Sequence, residues 1–228
     1  MSRTIQILHR PAYAMARIDL SAGDAFLCEA GSMVSKSASI NLEPQKVKRA
    51  RAGGILGAVK SLLSGEFFLI NKATATSAGH IHIAPTHVGD IAEHNLDGGL
   101  IIQSGSFLAC DDEITLDGEW QGARSFFAGE SLFMMHARGK GSVLFNSFGA
   151  IEAHDLDGEM IVDTGHIVAF EPTLTYSVTK FGSSWFGAFT SGEGLVARFS
   201  GKGRLYTQTR NLQSFGQMIG KLLPMRDS

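Results

Sequence analysis

The chain has 228 residues, 44% hydrophobic and only 18% charged, with a net charge of -2. That length and apolar content suit one large body with a substantial core. The near-neutral balance gives no basic field for phosphate backbones, so nucleic acid is not an expected partner. The first ten residues lack the apolar run of a signal peptide, and no window reaches membrane-spanning length. Cys28 and Cys110 form no motif and read as free, buried thiols. The expectation is a soluble cytoplasmic protein.

Glycine is abundant (27) and proline sparse (5), which favours short strands joined by tight turns. Residues 14–20 and 24–29 read as two strands of a hairpin closed by Ser21-Ala22-Gly23. Gly31-Ser32-Met33-Val34 follows. Residues 44–64 read as an insertion. It opens with Lys46, Lys48, Arg49 and Arg51, then sets Ile55, Leu56, Val59, Leu62 and Leu63 on one face of a short helix. A basic run beside an apolar face suits either a neighbouring subunit or an anionic membrane, with subunit contact favoured.

Gly65-Glu66, Gly129-Glu130 and Gly192-Glu193 each precede an apolar strand. Each strand then meets a glycine-bearing turn: Ala78-Gly79, Gly139-Lys140-Gly141 or Gly201-Lys202-Gly203. An alternating strand resumes beyond each, and the pattern predicts three hairpins. Residues 89–109 recur at 149–169 with nine of 21 positions identical, among them His94/His154 and the pair Asp97-Gly98/Asp157-Gly158. Both Asp-Gly pairs lie between apolar runs and read as hairpin turns. Self-similarity at a fixed period predicts one supersecondary unit used repeatedly. Gly31 takes the place of Gly105 and Gly165, so residues 1–88 form a first copy, 89–148 a second and 149–211 a third. Residues 212–228 hold a closing helix with Leu212, Phe215, Ile219 and Leu222 on one side, stopped by Pro224.

These motifs together resemble the "altered inheritance of mitochondria 24" type family. They are the thrice-used Gly-Glu strand, the Gly-Gly-x-Leu-Gly insertion running into Leu62-Leu63-Ser64-Gly65-Glu66, the repeated Leu-Asp-Gly and the closing Thr207-Gln208-Thr209-Arg210. The resemblance implies an all-β chain of three tandem sandwich-like repeats in a pseudo-threefold, β-prism arrangement, like the tryptophan RNA-binding attenuation protein. It also implies a homo-oligomer, a trimer above all. The attenuation protein's tryptophan pocket and RNA rim do not carry over, because no matching residues are present.

The candidate sites are few. His80 and His82 share one strand face, and with His87 they suggest a cupin-like metal strand. The sister copies place Ser142 and Leu144, or Arg204 and Tyr206, at those points, so hydrogen-bonded strand histidines are the favoured reading. His94 and His154 recur at one position and suit a structural contact, such as one to a backbone carbonyl. Glu66, Glu130 and Glu193 read as acceptors for turn N–H groups, not as an acid/base pair. No Gly-x-Ser-x-Gly elbow or phosphate loop occurs. The expectation is a non-catalytic, cofactor-free scaffold or binding protein whose partner is a copy of itself, a membrane periphery or another protein. A metal-dependent enzyme and a small-ligand protein with a pocket between repeats are the alternatives.

Overall fold

The computed structural model describes residues 3–46, 69–117, 134–180 and 195–223. Lys48, Arg49, Arg51, Ile55, Leu56, Val59, Leu62 and Leu63 fall outside the described residues, as do the Gly-Glu pairs at 65, 129 and 192.

The described chain is mostly β-strand, with one helix at the C-terminus. In order the strands are β1 (Thr4–Leu8), β2 (Met15–Leu20), β3 (Ala25–Glu29), β4 (Met33–Lys36), β5 (Ile40–Lys46), β6 (Leu69–Ala75) and β7 (Gly79–Ile83). Then come β8 (Ile91–Gln103), β9 (Phe107–Asp111), β10 (Thr115–Asp117), β11 (Met134–Asn146), β12 (Ile151–Asp163), β13 (Ile167–Phe170), β14 (Thr175–Lys180) and β15 (Leu195–Gln208). Helix α1 spans Leu212–Gly220, capped by Asn211, whose side chain accepts the Ser214 N–H at 3.1 Å. Strand β5 runs through Pro44 to Lys46, opposite Asn71 to Leu69, so the expected insertion at 44 begins as strand.

Two sheets carry these strands. One holds four in the order β1-β2-β7-β4. The other holds eleven, β12-β15-β13-β8-β11-β9-β3-β6-β5, with β10 on β11 and β14 on β15. Period-2 alternation places them. In β2, Ala16, Ile18 and Leu20 are buried while Met15, Arg17 and Asp19 are not. Residues 14–20 and 24–29 do form strands, but not a hairpin. Strand β2 pairs with β1 and β7, while β3 pairs with β6 and β9, and Ser21-Ala22-Gly23 carries the chain from one sheet to the other.

The Asp-Gly and Gly-Lys-Gly segments are not turns either. Strand β8 pairs with β11 without a break from Ile91↔Asn146 to Gln103↔Met134, passing Asp97↔Lys140 and Gly98↔Gly139. Strand β12 does the same with β15, passing Asp157↔Lys202 and Gly158↔Gly201. These four glycines have φ of 123°, 133°, 144° and 119°, a region that side chains disfavour. The facing glycines thus set both positive-φ residues of each pair at one level, with the register unbroken across them. The lysines reach the facing carboxylates at 3.3 and 3.6 Å on the surface.

The core has three parts. One gathers β2, β3, β6 and β7 and is completed by Leu108, Ala109 and Leu144. The next gathers β8, β9 and β11 and is completed by Val168, Ala169 and Tyr206. The last gathers β13 and β15 with Leu174, together with Ile101 and Met134. The first two clusters are thus closed by side chains from further along the chain, the third by side chains from earlier in it. Of the four outermost strands, β1, β4, β5 and β12, β4 and β12 leave Met33, Val34 and Ile161 exposed.

Candidate functional site

The most elaborate polar constellation lies where β8 meets β12 and β15. A cleft of about 650 Å³ is lined by Glu93, His94 and Asn95 of β8, Asp155 of β12, Glu171, and Arg204 and Tyr206 of β15, among others. Period 2 along β8 buries His94 between exposed Glu93 and Asn95. His94 Nδ1 lies 2.9 Å from the Tyr206 hydroxyl, their rings meeting edge to face at 5.9 Å. Burial lowers the His94 pKa and raises that of Tyr206, so both are neutral near pH 7.

The charges around this pair are already matched. Arg204 Nε donates to Asp155 Oδ1 at 2.7 Å, and that bond holds the Arg204 pKa above its ordinary value. The Arg204 backbone N–H donates to Glu171 Oε2 at 2.9 Å. His154, the repeat partner of His94, is only half-buried and bonds Thr207 Oγ1 through Nε2 at 2.9 Å. Both histidines contact β15 hydroxyls, where a backbone carbonyl was expected.

The other histidines are dispersed. His80 and His82 share a face of β7, their rings 5.2 Å apart, and each Nδ1 meets a serine hydroxyl, Ser37 at 3.3 Å and Ser35 at 3.0 Å. His87 packs edge-on against Phe148, ring centroids 5.9 Å apart. Among the described residues no three His, Cys, Asp or Glu side chains group as a metal ion would require. Cys28 and Cys110 are free and buried, in different core clusters. Burial pushes the Cys28 thiol up to about 11 and that of Cys110 higher still. Neither is an activated nucleophile.

A second feature is apolar. Tyr13 and Gly89 form a parallel bridge, as do Gly89 and Gly149, so three distant stretches of chain lie side by side. Phe148 beside them receives Phe215 of α1 at 5.2 Å. No residue of α1 is buried. Tyr13, Val88, Leu212, Phe215, Met218, Leu222 and Leu223 are all exposed. Such a set of large side chains marks a contact surface. The sequence showed the helix and its stripe. It did not show that Phe148 meets Phe215 of the helix.

Residues 5–210 match the family described as "Mitochondrial biogenesis AIM24". The chain belongs to the AIM24 family. An uncharacterized protein of Streptococcus pyogenes serotype M6 is 31% identical over 218 residues, spanning 93% of this chain and 88% of that protein. A Streptococcus pyogenes protein with an X-ray crystal structure superposes with a TM-score of 0.79 at 30% identity, over 97% of this chain and all of the other. No described helix of this AIM24 protein is long and apolar enough to cross a membrane.

Proposed function

We propose that this protein is a non-catalytic scaffold, three tandem copies of one β unit, that assembles with copies of itself through the apolar end formed by α1, Tyr13 and Val88. The observation that carries the proposal is α1. It presents Leu212, Phe215 and Met218 to solvent, and no acidic or basic residue lies in its first or last turn. An uncharged amphipathic face suits a protein surface better than an anionic bilayer, where basic residues on the polar side supply the attraction. The three-copy reading is supported by the facing glycines at matching levels of β8/β11 and β12/β15, and by the side-by-side starts at Tyr13, Gly89 and Gly149. A non-catalytic role accords with thiols held protonated and histidines held by serine and tyrosine hydroxyls.

Sedimentation velocity tests the assembly. The wild-type chain should sediment as an oligomer, a trimer in the closed form the family resemblance implies, and Phe215→Ser with Met218→Ser should release monomers with unchanged β-sheet circular dichroism. A wild-type monomer at 100 μM sinks the reading. Pelleting with anionic liposomes, lost in the same double variant, would move the surface to a membrane role.

A further inference from the structure

Strands β4, β9 and β13 begin just after Gly31, Gly105 and Gly165 and are built alike. Each lies antiparallel on a neighbour and slips register after its first residue. Met33↔Ile83 is followed by Ser35↔His82, Phe107↔Phe145 by Ala109↔Leu144, and Ile167↔Thr207 by Ala169↔Tyr206. The other edge of β9 is taken by β3, with Leu27↔Cys110 and Cys28↔Ala109. That of β13 is taken by β8, with Ile101↔Phe170 and Ile102↔Ala169. Both joints keep one register: Cys28 and Ile102 stand three places before their own glycine, and Ala109 and Ala169 four places after the next one.

Both halves of a third such joint are present, and among the described residues they are not joined. The same count sets Val162 opposite Ser35 and Ile161 opposite Lys36, which would bring β12 to β4. Among the described residues neither of those edges carries a strand. Exposure follows the pairing. Phe107, Leu108, Ile167 and Val168 are 0% exposed, whereas Met33 and Val34, at the same places in β4, are 42% and 56% exposed. Ile101 is 1% exposed and its counterpart Ile161 52%. The two halves in one chain therefore do not cover each other. Their charges are matched: Lys36 stands where Cys110 and Phe170 stand, while Glu159 and Asp163, on the Ile161 face of β12, replace Gly99 and Gln103.

We propose that β4 of one chain receives β12 of a second chain, with Ile161 opposite Lys36 and Val162 opposite Ser35. Met33, Val34 and Ile161 would then be covered as their counterparts are, and main-chain hydrogen bonds would form along the edge. Lys36 would come between Asp163 and Glu159, which meets Arg198 at 2.9 Å on its other side. A joint of unlike edges is heterologous, so chains follow one another head to tail, and the proposed trimer would be its closed form. This joint rests on the proposed self-assembly: the α1 surface holds the chains together, and the short edge contact sets their order.

Cysteine cross-linking tests it, because residues directly opposite on antiparallel strands lie within disulfide reach. Lys36→Cys and Ile161→Cys chains with different affinity tags are co-expressed and oxidised at pH 8. Disulfides between the two kinds of chain should form in more than half of the mixed oligomers, and at least tenfold less with either variant alone. Glu159→Cys in place of Ile161→Cys should lower the yield at least fivefold, which checks the register. All three positions are exposed, so circular dichroism and melting temperature should match wild type. An α1-dependent oligomer without the disulfide overturns the edge joint and leaves the α1 surface standing. A wild-type monomer overturns both. A disulfide within one chain carrying both Lys36→Cys and Ile161→Cys, with none between chains, would mean that β4 and β12 close on each other and would also overturn the joint. Equal yields from Glu159→Cys and Ile161→Cys would overturn the register.

Discussion

Arg10 grips Asp90 with both sides of its guanidinium, Nε to Oδ1 and Nη2 to Oδ2, each at 2.8 Å. The Asp90 side chain is 2% exposed, while that of Arg10 is half in solvent. Asp90 also occupies a junction. Its N–H donates to Gly149 O at 2.9 Å, its carbonyl accepts the Ser147 N–H at 3.1 Å, and Oδ1 accepts the Ile91 N–H at 2.9 Å. Removing the guanidinium leaves a buried carboxylate held by one backbone donor. Arg10→Ala should therefore cost about 2–3 kcal/mol, less than a fully buried pair because Arg10 is half exposed. Urea unfolding checks this, and an effect below about 0.5 kcal/mol would make the pair an ordinary surface bridge.

Acid and base act on different groups. Burial lowers the pKa of His87, His94 and His136, so their contribution is complete above pH 6.5 and is lost as pH falls through their folded values. Burial has the opposite effect on Glu29, raised from 4.5 to about 7. Its contribution is complete below about pH 4.5 and is lost as pH rises through 7. Glu29→Gln should thus gain stability relative to wild type between pH 5 and pH 8. After allowance for partial solvent screening the gain is about 1 kcal/mol, or about 2–4 °C in Tm. Thermal melts at the two pH values check it; a constant difference between the proteins would refute it.

Tyr206→Phe removes the hydroxyl that His94 Nδ1 meets at 2.9 Å and keeps the ring packed on Phe145 at 4.7 Å. The cost is that of an orphaned buried nitrogen, about 1–2 kcal/mol. A neutral imidazole without its partner also changes its titration, so the His94 pKa read by NMR should move.

Cys28 and Cys110 should resist alkylation in the native protein. Both are buried with thiols pushed far above neutral pH, so thiolate is scarce as well as shielded. Ellman's reagent should react with fewer than a tenth of them over minutes at pH 8, and with both at once in 6 M guanidinium.

Equivalent glycines of the repeat should not respond alike. A Cβ at Gly105 meets nothing within 4 Å, so Gly105→Ala should change stability by less than about 0.5 kcal/mol. At Gly165 a Cβ would strike the Asn211 side chain, the cap of α1, and at Gly89 it would strike the Ser147 carbonyl. Gly165→Ala should loosen α1 with little effect on the sheets, visible as faster amide exchange at Ser214. Gly89→Ala has only backbone to displace and should cost more than about 3 kcal/mol, or abolish soluble expression.

The strands were legible where alternation and burial coincide, as in β2 and β3, and so was α1, because its apolar side chains recur at helical spacing. The Asp-Gly pairs misled because their composition is that of a hairpin turn. What makes them strand is a facing glycine on a distant strand, and pairing across such distances leaves no local mark. Strand β1 was missed although Ile5 and Ile7 alternate within Thr4–Leu8. With it went the ion pair of Arg3 with Asp111. The His94–Tyr206 contact joins residues separated by 112 positions, which one sequence alone cannot link.

The outer strands β4 and β12 have practical weight. Each has no strand paired to its outer edge among the described residues, next to Met33 and Val34 or Ile161, a template for stray pairing at high concentration. Strand β4 is only four residues long, and its Lys36 ties back to Ile40 O at 2.8 Å. Shortness and a lysine are the usual guards on such a margin, so the longer β12 is where clumping during overproduction would start, and where a single added charge would improve recovery.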